Sequence, residues 1–231
     1  MEIREMITEI KGRLDTRGGL KAVIFVACGG SQAAIYPGKY LLEREANEIA
    51  VSIYNSNEFN YVTPKSLDER CIVICCSLKA TAETVHAVER ARQFGAVTIA
   101  MTGSPETGMA KAGEYVVVYS NGDEQIYSQS NQSMALRLGF EILHQFEGYP
   151  LYHEAMAAFD QIDAIVAESK RSMLPAAQSF AVEYQNDPLF QVLGGRPAVS
   201  GPPILGKLSF YGNALAKCHY DSQRRIFPRS L

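Results

Sequence analysis

The six residues Cys71–Cys76, CIVICC, are apolar without interruption. A strand with one wet face alternates apolar and polar side chains, so a run this uniform is covered on both faces. The same character recurs in AVIFVA at Ala22–Ala27 and in VTIAM at Val97–Met101. Short runs buried on both sides belong to parallel sheets, whose crossover helices do the covering. Such runs argue against a sandwich of half-exposed strands.

The segments between these runs have the helical period. Residues 2–15 place Ile3, Met6, Ile7, Ile10 and Leu14 at spacings of three and four, and Arg17-Gly18-Gly19 ends that helix. A helical pattern runs from Gln32 to about Asn47, complicated by Pro37-Gly38. A third helix is expected over Thr81–Phe94, with Val85, Val88 and Ala91 on one face and Gly95 at its C-terminus. Tyr127–Phe146 carries Leu136, Leu138, Phe140, Ile142 and Leu143, and further helical patterns cover about 151–170 and 172–186. Strands are also expected at Ile49–Tyr54 and Glu114–Val118, while 55–69 reads as a loop with a turn at Thr63-Pro64. Strands alternating with helices, without hairpin turns, build right-handed βαβ units. The expected fold class is α/β, a flavodoxin-like three-layer sandwich with a five-stranded parallel sheet.

Composition excludes several partners. The chain has 231 residues, 47% apolar and 20% charged, enough for one large or two small domains with a sizeable core. Its net charge is −3 and its pI near 5.9, with no Lys/Arg block, so no nucleic-acid partner is expected. No apolar run approaches the ~20 residues that span a bilayer. The N-terminus, MEIREMITEIKGRL, is charged and amphipathic, unlike a signal peptide. No membrane partner and a cytoplasmic location follow as expectations. Cys28, Cys71, Cys75, Cys76 and Cys218 lack metal-type spacing. They read as free thiols of a reducing cytosol, with zinc or a disulfide as the remote alternative.

Ligands of open parallel sheets bind beyond the carboxyl ends of the strands. That rule gathers the loops 28–31, 76–81 and 120–130. In the first, Gly29 and Gly30 allow close backbone approach and positive φ, Ser31 adds a hydroxyl, and a helix N-terminus follows. This is an anion site or a tight turn capped by Ser31. It is neither a Walker loop nor a G-x-G-x-x-G fingerprint. In the second loop, Ser77, Lys79 and Thr81 precede another helix. Either they donate to the same anion, or Thr81-Ala82-Glu83-Thr84 is simply a near capping box. The third, IYSQSNQSMAL, offers Ser128, Gln129, Ser130, Asn131 and Gln132 to a polyol, or merely caps a helix. Three such loops at one sheet edge suggest a sugar phosphate.

The layout resembles the sugar isomerase (SIS) domain of phosphosugar enzymes and regulators. The resemblance covers about residues 20–150. It is carried by A-C-G-G-S after the first strand, C-S-L-K-A-T-A-E-T-V, G-A-V-T-I-A-M-T and the Ser/Gln-rich turn. Y-S-Q-S-N-Q-S followed by A-L-R-L-G-F-E-I-L-H-Q is most similar to the fructosamine-6-phosphate deglycase branch, relatives of the isomerase half of glucosamine-6-phosphate synthase. The resemblance implies that Ser31, Ser77 and Thr81 hold the sugar phosphate and that the Ser128–Ser130 turn touches the sugar. It implies hydrolysis of a 6-phosphofructosamine to glucose 6-phosphate and an amine, with no metal or organic cofactor. It also implies a homo-oligomer. A phosphosugar isomerase, or a binding module without turnover, is the alternative. The chain departs from the family's S-x-S-G-x-T at Cys76-Ser77-Leu78-Lys79-Ala80-Thr81, where a serine has become Leu78 and the glycine Lys79.

Domain expectations follow. Residues 1–150 form the SIS domain, 151–187 linking helices, and 188–231 the start of a second SIS domain that PLFQVLGGRP announces. Residues 198–231 then lose all helical or strand period. Read one base later, with codons chosen freely, Tyr211–Leu231 permits MEMHWLNAITIHSAEYFHGA. That string resembles the family segment bearing the acid/base glutamate and its neighbouring histidine. The tail is therefore read as a frame-shifted second domain, against the simpler reading of a genuine tail. No catalytic residue is assigned within the chain: Glu83 reads as a cap, and His86, His144 and His153 as surface or packing residues. His219 lies in the tail.

Overall fold

The structure, a computed structural model, describes residues 2–186. Five strands, β1 (Ala22–Ala27), β2 (Ala50–Asn55), β3 (Cys71–Ser77), β4 (Val97–Thr102) and β5 (Tyr115–Val118), form one sheet in the order β2-β1-β3-β4-β5. Every neighbouring pair is parallel. The helices are α1 (Ile3–Asp15), α2 (Gly29–Glu45), α3 (Ser56–Tyr61), α4 (Ala82–Gln93), α5 (Gly108–Ala112), α6 (Asn131–Glu147), α7 (Tyr152–Phe159) and α8 (Ile162–Glu183). This is the expected α/β architecture.

The period of two in the strands sorts the core into two layers. Val23, Phe25 and Ala27 of β1 and Ile72, Ile74 and Cys76 of β3 pack with Met6, Ile7 and Ile10 of α1, Ile35 and Leu42 of α2, and Leu138 and Ile142 of α6. Ala22, Ile24 and Val26, with Cys71, Val73 and Cys75, face Phe59 of α3, Ala87, Val88 and Ala91 of α4, and Met109 of α5. All seven residues of β3 are buried, which is why its sequence tolerates no polar alternation. The crossover after β1 therefore lies on one face and the crossover after β3 on the other. β1 and β3 are adjacent, so the crevice between their carboxyl ends is the topological switch point of the sheet.

Two contacts show how α6 runs alongside α2. A Cβ on Gly38 would sit 2.5 Å from the Ala135 carbonyl oxygen, so the helices meet backbone to backbone there. At the far end the Glu147 carboxylate accepts the backbone N–H groups of Asn47, Glu48 and Ile49 at 2.7, 3.0 and 3.2 Å. These two contacts run in the same chain order along both helices, so α2 and α6 are parallel. Both N-termini point to the carboxyl edge of the sheet.

Several boundaries differ from expectation, each for a local reason. α2 begins at Gly29 rather than Gln32 and carries Pro37 inside it. α3 occupies part of the expected loop 55–69, because the Asn55 side chain accepts the Asn57 N–H at 3.1 Å and starts a helix. α5 was not foreseen either; the Thr107 hydroxyl accepts the Ala110 N–H at 3.3 Å. The break between the last two helices falls at Asp160-Gln161, not near residue 171. The chain divides there into two compact units, the first ending at Asp160 and the second starting at Gln161. α7 belongs to the first and α8 to the second. The second domain expected at 188–231, its frame slip, Cys218 and His219 lie outside the described residues. Cys71, Cys75 and Cys76 are buried thiols of β3, and burial holds the Cys71 and Cys75 thiols above the ordinary cysteine range. No helix among the described residues is long and apolar enough to cross a membrane.

Candidate functional site

Ala27 pairs with Cys76 across β1 and β3, so the first two loops leave the sheet side by side. The first is hardly a loop. Cys28 is the N-cap of α2, extended at φ −120°, and makes no side-chain capping bond. Gly29 takes φ +53°, a left-handed conformation that glycine adopts without a Cβ penalty. The Ser31 N–H bonds back to the Cys28 carbonyl at 3.2 Å. Ser31 therefore stands inside the first helical turn and is not the cap, which corrects the turn reading. Gly29 and Gly30 are exposed, and a Cβ at either would meet nothing within 4 Å. The first turn is bare backbone at the positive end of a 17-residue helix.

Ser77 ends β3 and is buried. Its Oγ accepts the Thr81 N–H at 3.0 Å and lies 3.3 Å from Thr81 Oγ1. Thr81 is the N-cap of α4 in position only. Its hydroxyl pairs instead with Thr84 Oγ1 at 2.9 Å, and Glu83 is exposed, so the near capping box does not form. Between Ser77 and Thr81 the chain swings outward through Leu78 and Lys79, both exposed. Ala80 closes the swing at φ +55°, the non-glycine residue with positive φ among those described. The loop after β4 supports it: the Gly103 N–H donates to the Leu78 carbonyl at 3.3 Å. A Cβ on Gly103 would stand 2.5 Å from Leu78 Cδ1.

Ser128 and Gln129 lie in a short 3-10 helix, Tyr127–Gln129, ahead of α6. Ser130 is the N-cap of α6, buried, and its Oγ accepts the Ser133 N–H at 3.2 Å. Gln129 is exposed and its carbonyl accepts the Ser120 N–H at 2.8 Å; Ser128 is half-buried. Tyr119 links this loop to the second one. Its ring is buried, and its hydroxyl faces the Cys76 thiol and Asn131. Burial first, then Cys76, holds that phenol far above the ordinary tyrosine range.

Gly29, Gly30, Ser31, Ser77, Lys79, Thr81, Ser128, Gln129 and Ser130 thus all stand at the carboxyl edge of one sheet. Two helix N-termini follow from adjacent strands there, beside hydroxyls, an arrangement suited to a doubly charged oxyanion. His144, by contrast, stacks on Tyr152 with ring centroids 4.0 Å apart, in the last turn of α6. Sequence reasoning missed Thr84 and Ser56, which back Thr81 from below; the only trace of them was a threonine three residues past the cap.

Residues 20–141 match the SIS domain family. The chain belongs to that family. Fructosamine deglycase FrlB of Bacillus subtilis (strain 168) is 33% identical over 193 residues, which are 83% of this chain and 57% of that protein. Fructoselysine 6-phosphate deglycase of Escherichia coli (strain K12) is 35% identical over 98 residues, 42% of this chain and 28% of that protein. A crystal structure of a Salmonella typhimurium LT2 protein assigned as a phosphosugar isomerase superposes with a TM-score of 0.75 at 35% identity, covering 80% of this chain and 57% of that one. This SIS chain therefore spans little more than half the length of the fuller of these relatives.

Proposed function

We propose that this SIS domain binds a 6-phosphorylated sugar and serves a fructosamine-6-phosphate deglycase. The phosphate would sit over the N-termini of α2 and α4, held by backbone of Gly29 and Gly30 and by Ser31, Ser77, Lys79 and Thr81. Ser128, Gln129 and Ser130 would meet the sugar hydroxyls. The observation that carries this reading is the pairing of Ala27 with Cys76, which sends two anion-type loops out together at the switch point. The relatives named as deglycases supply the reaction class. In that reaction water cleaves the C1–N bond after a proton moves between C1 and C2, giving glucose 6-phosphate and a free amine. The phosphate grip positions the reacting carbons with binding energy remote from them.

A coupled assay for glucose 6-phosphate release from a phosphorylated fructosyl amino acid tests the activity. Release at enzymatic rates supports the deglycase. Binding without release supports a phosphosugar-binding module. A homo-oligomer in the cytoplasm completes the proposal, and a strictly monomeric native mass counts against its first half.

A further inference from the structure

Four hydroxyls form a line from the rim of the sheet into its core. Ser77 Oγ lies 3.3 Å from Thr81 Oγ1, Thr81 Oγ1 lies 2.9 Å from Thr84 Oγ1, and Thr84 Oγ1 lies 2.9 Å from Ser56 Oγ. Thr84 and Ser56 are completely buried, so neither reaches solvent. They belong to different helices, the first turn of α4 and the first residue of α3. Such a pair has no part in the capping of α4, because the Thr81 N–H already donates to Ser77 Oγ.

The line has a polarity. Each hydroxyl owns one hydrogen and can accept through two lone pairs. If Ser56 donates to Thr84 and Thr84 donates to Thr81, one hydrogen of the Thr81–Ser77 pair holds their mutual contact and the other remains for a ligand. The reverse order consumes the Thr81 hydrogen inward and turns a lone pair toward the rim, where an anion would be repelled. Successive bonds of one sense also polarise each other. We infer that Thr84 and Ser56 are positioning residues, which keep one hydroxyl hydrogen of the Thr81–Ser77 pair free to donate to the bound phosphate. The inference rests on the proposed phosphosugar site.

Calorimetric titration of the full chain with glucose 6-phosphate tests it. Thr84→Val keeps the shape and removes the hydroxyl; binding is expected to weaken about tenfold, the worth of one charge-assisted hydrogen bond. Thr84→Ser restores the hydroxyl and is expected to bind within about twofold of the unaltered protein. In a Thr81→Val background, Thr84→Val is expected to change affinity by less than about twofold, because its route to the ligand is gone. A purely structural role would weaken both backgrounds equally, and that result overturns the inference, as does unaltered binding by Thr84→Val. Should circular dichroism show Thr84→Val unfolded, Ser56→Ala gives the same reading, with weakening expected only when Thr81 is present. If the unaltered protein binds no hexose phosphate, the proposed function itself falls and this inference with it.

Discussion

Glu147 places one carboxylate against four donors: the backbone N–H groups of Asn47, Glu48 and Ile49, and the Asn47 side-chain amide. Burial, the largest single influence, pushes its pKa up, but the backbone donors together outweigh it and hold it below the ordinary value of 4.5. A group with a depressed folded pKa stabilises the fold fully above its unfolded value, and the contribution fades as pH falls through the folded value. Glu147→Gln is therefore expected to cost about 1–2 kcal/mol near neutral pH. The difference from the unaltered protein should shrink once the pH drops below the carboxylate range, as followed by urea denaturation at several pH values. Ala80 poses a different test. Its φ of +55° disfavours any side chain, and branching at Cβ most of all. Ala80→Val should lower stability by about 2 kcal/mol, whereas Ala80→Gly should match or exceed the unaltered protein, the strain relieved offsetting the added chain entropy. Thermal melts of the three proteins check the order.

The element that matters most to the site after the strands is the α2–α6 pair. Its closeness depends on one missing methyl group. Gly38 faces the Ala135 carbonyl, with 2.5 Å of room for a Cβ, and backbone cannot yield as a side chain can. Gly139 is less constrained, since its nearest neighbour is the flexible end of Leu41 at 3.1 Å. Gly38→Ala is expected to destabilise by about 2–3 kcal/mol and Gly139→Ala by distinctly less. Because α6 carries Ser130 at its cap, parting the helices also displaces the third loop, so Gly38→Ala should weaken hexose phosphate binding beyond its effect on Tm. Calorimetry at a temperature where both variants remain folded separates the two effects. The line of hydroxyls from Ser77 to Ser56 belongs to the same scale, since it ties α3 and α4 together beneath the rim.

Across the whole molecule, stability should follow the sheet order. β1, β3 and β4 are fully buried, while β2 at one edge is only half-covered. Hydrogen exchange is expected to be slowest in β1, β3 and β4 and faster in β2, and equal protection across all the strands would contradict this distribution of burial. The apolar runs AVIFVA, CIVICC and VTIAM were enough to read the buried strands and the α/β class, because only double-sided burial permits such uniformity. The loops at their carboxyl ends were legible for the same reason, as the rule of the switch point depends on connectivity alone. Shorter elements were not. α3 and α5 are too short to show a period, and their caps, Asn55 and Thr107, are residues equally at home in loops. Ser31 could equally read as an anion donor or as the cap of a tight turn; the helix begins at Gly29, two residues before it. Local sequence determined the buried strands, the long helices and which loops leave the carboxyl edge of the sheet. Tertiary structure alone decided that Ser56 backs Thr84, that Tyr119 faces Cys76 and that α6 lies against Gly38, because each joins residues far apart in the chain whose meeting depends on how the layers pack.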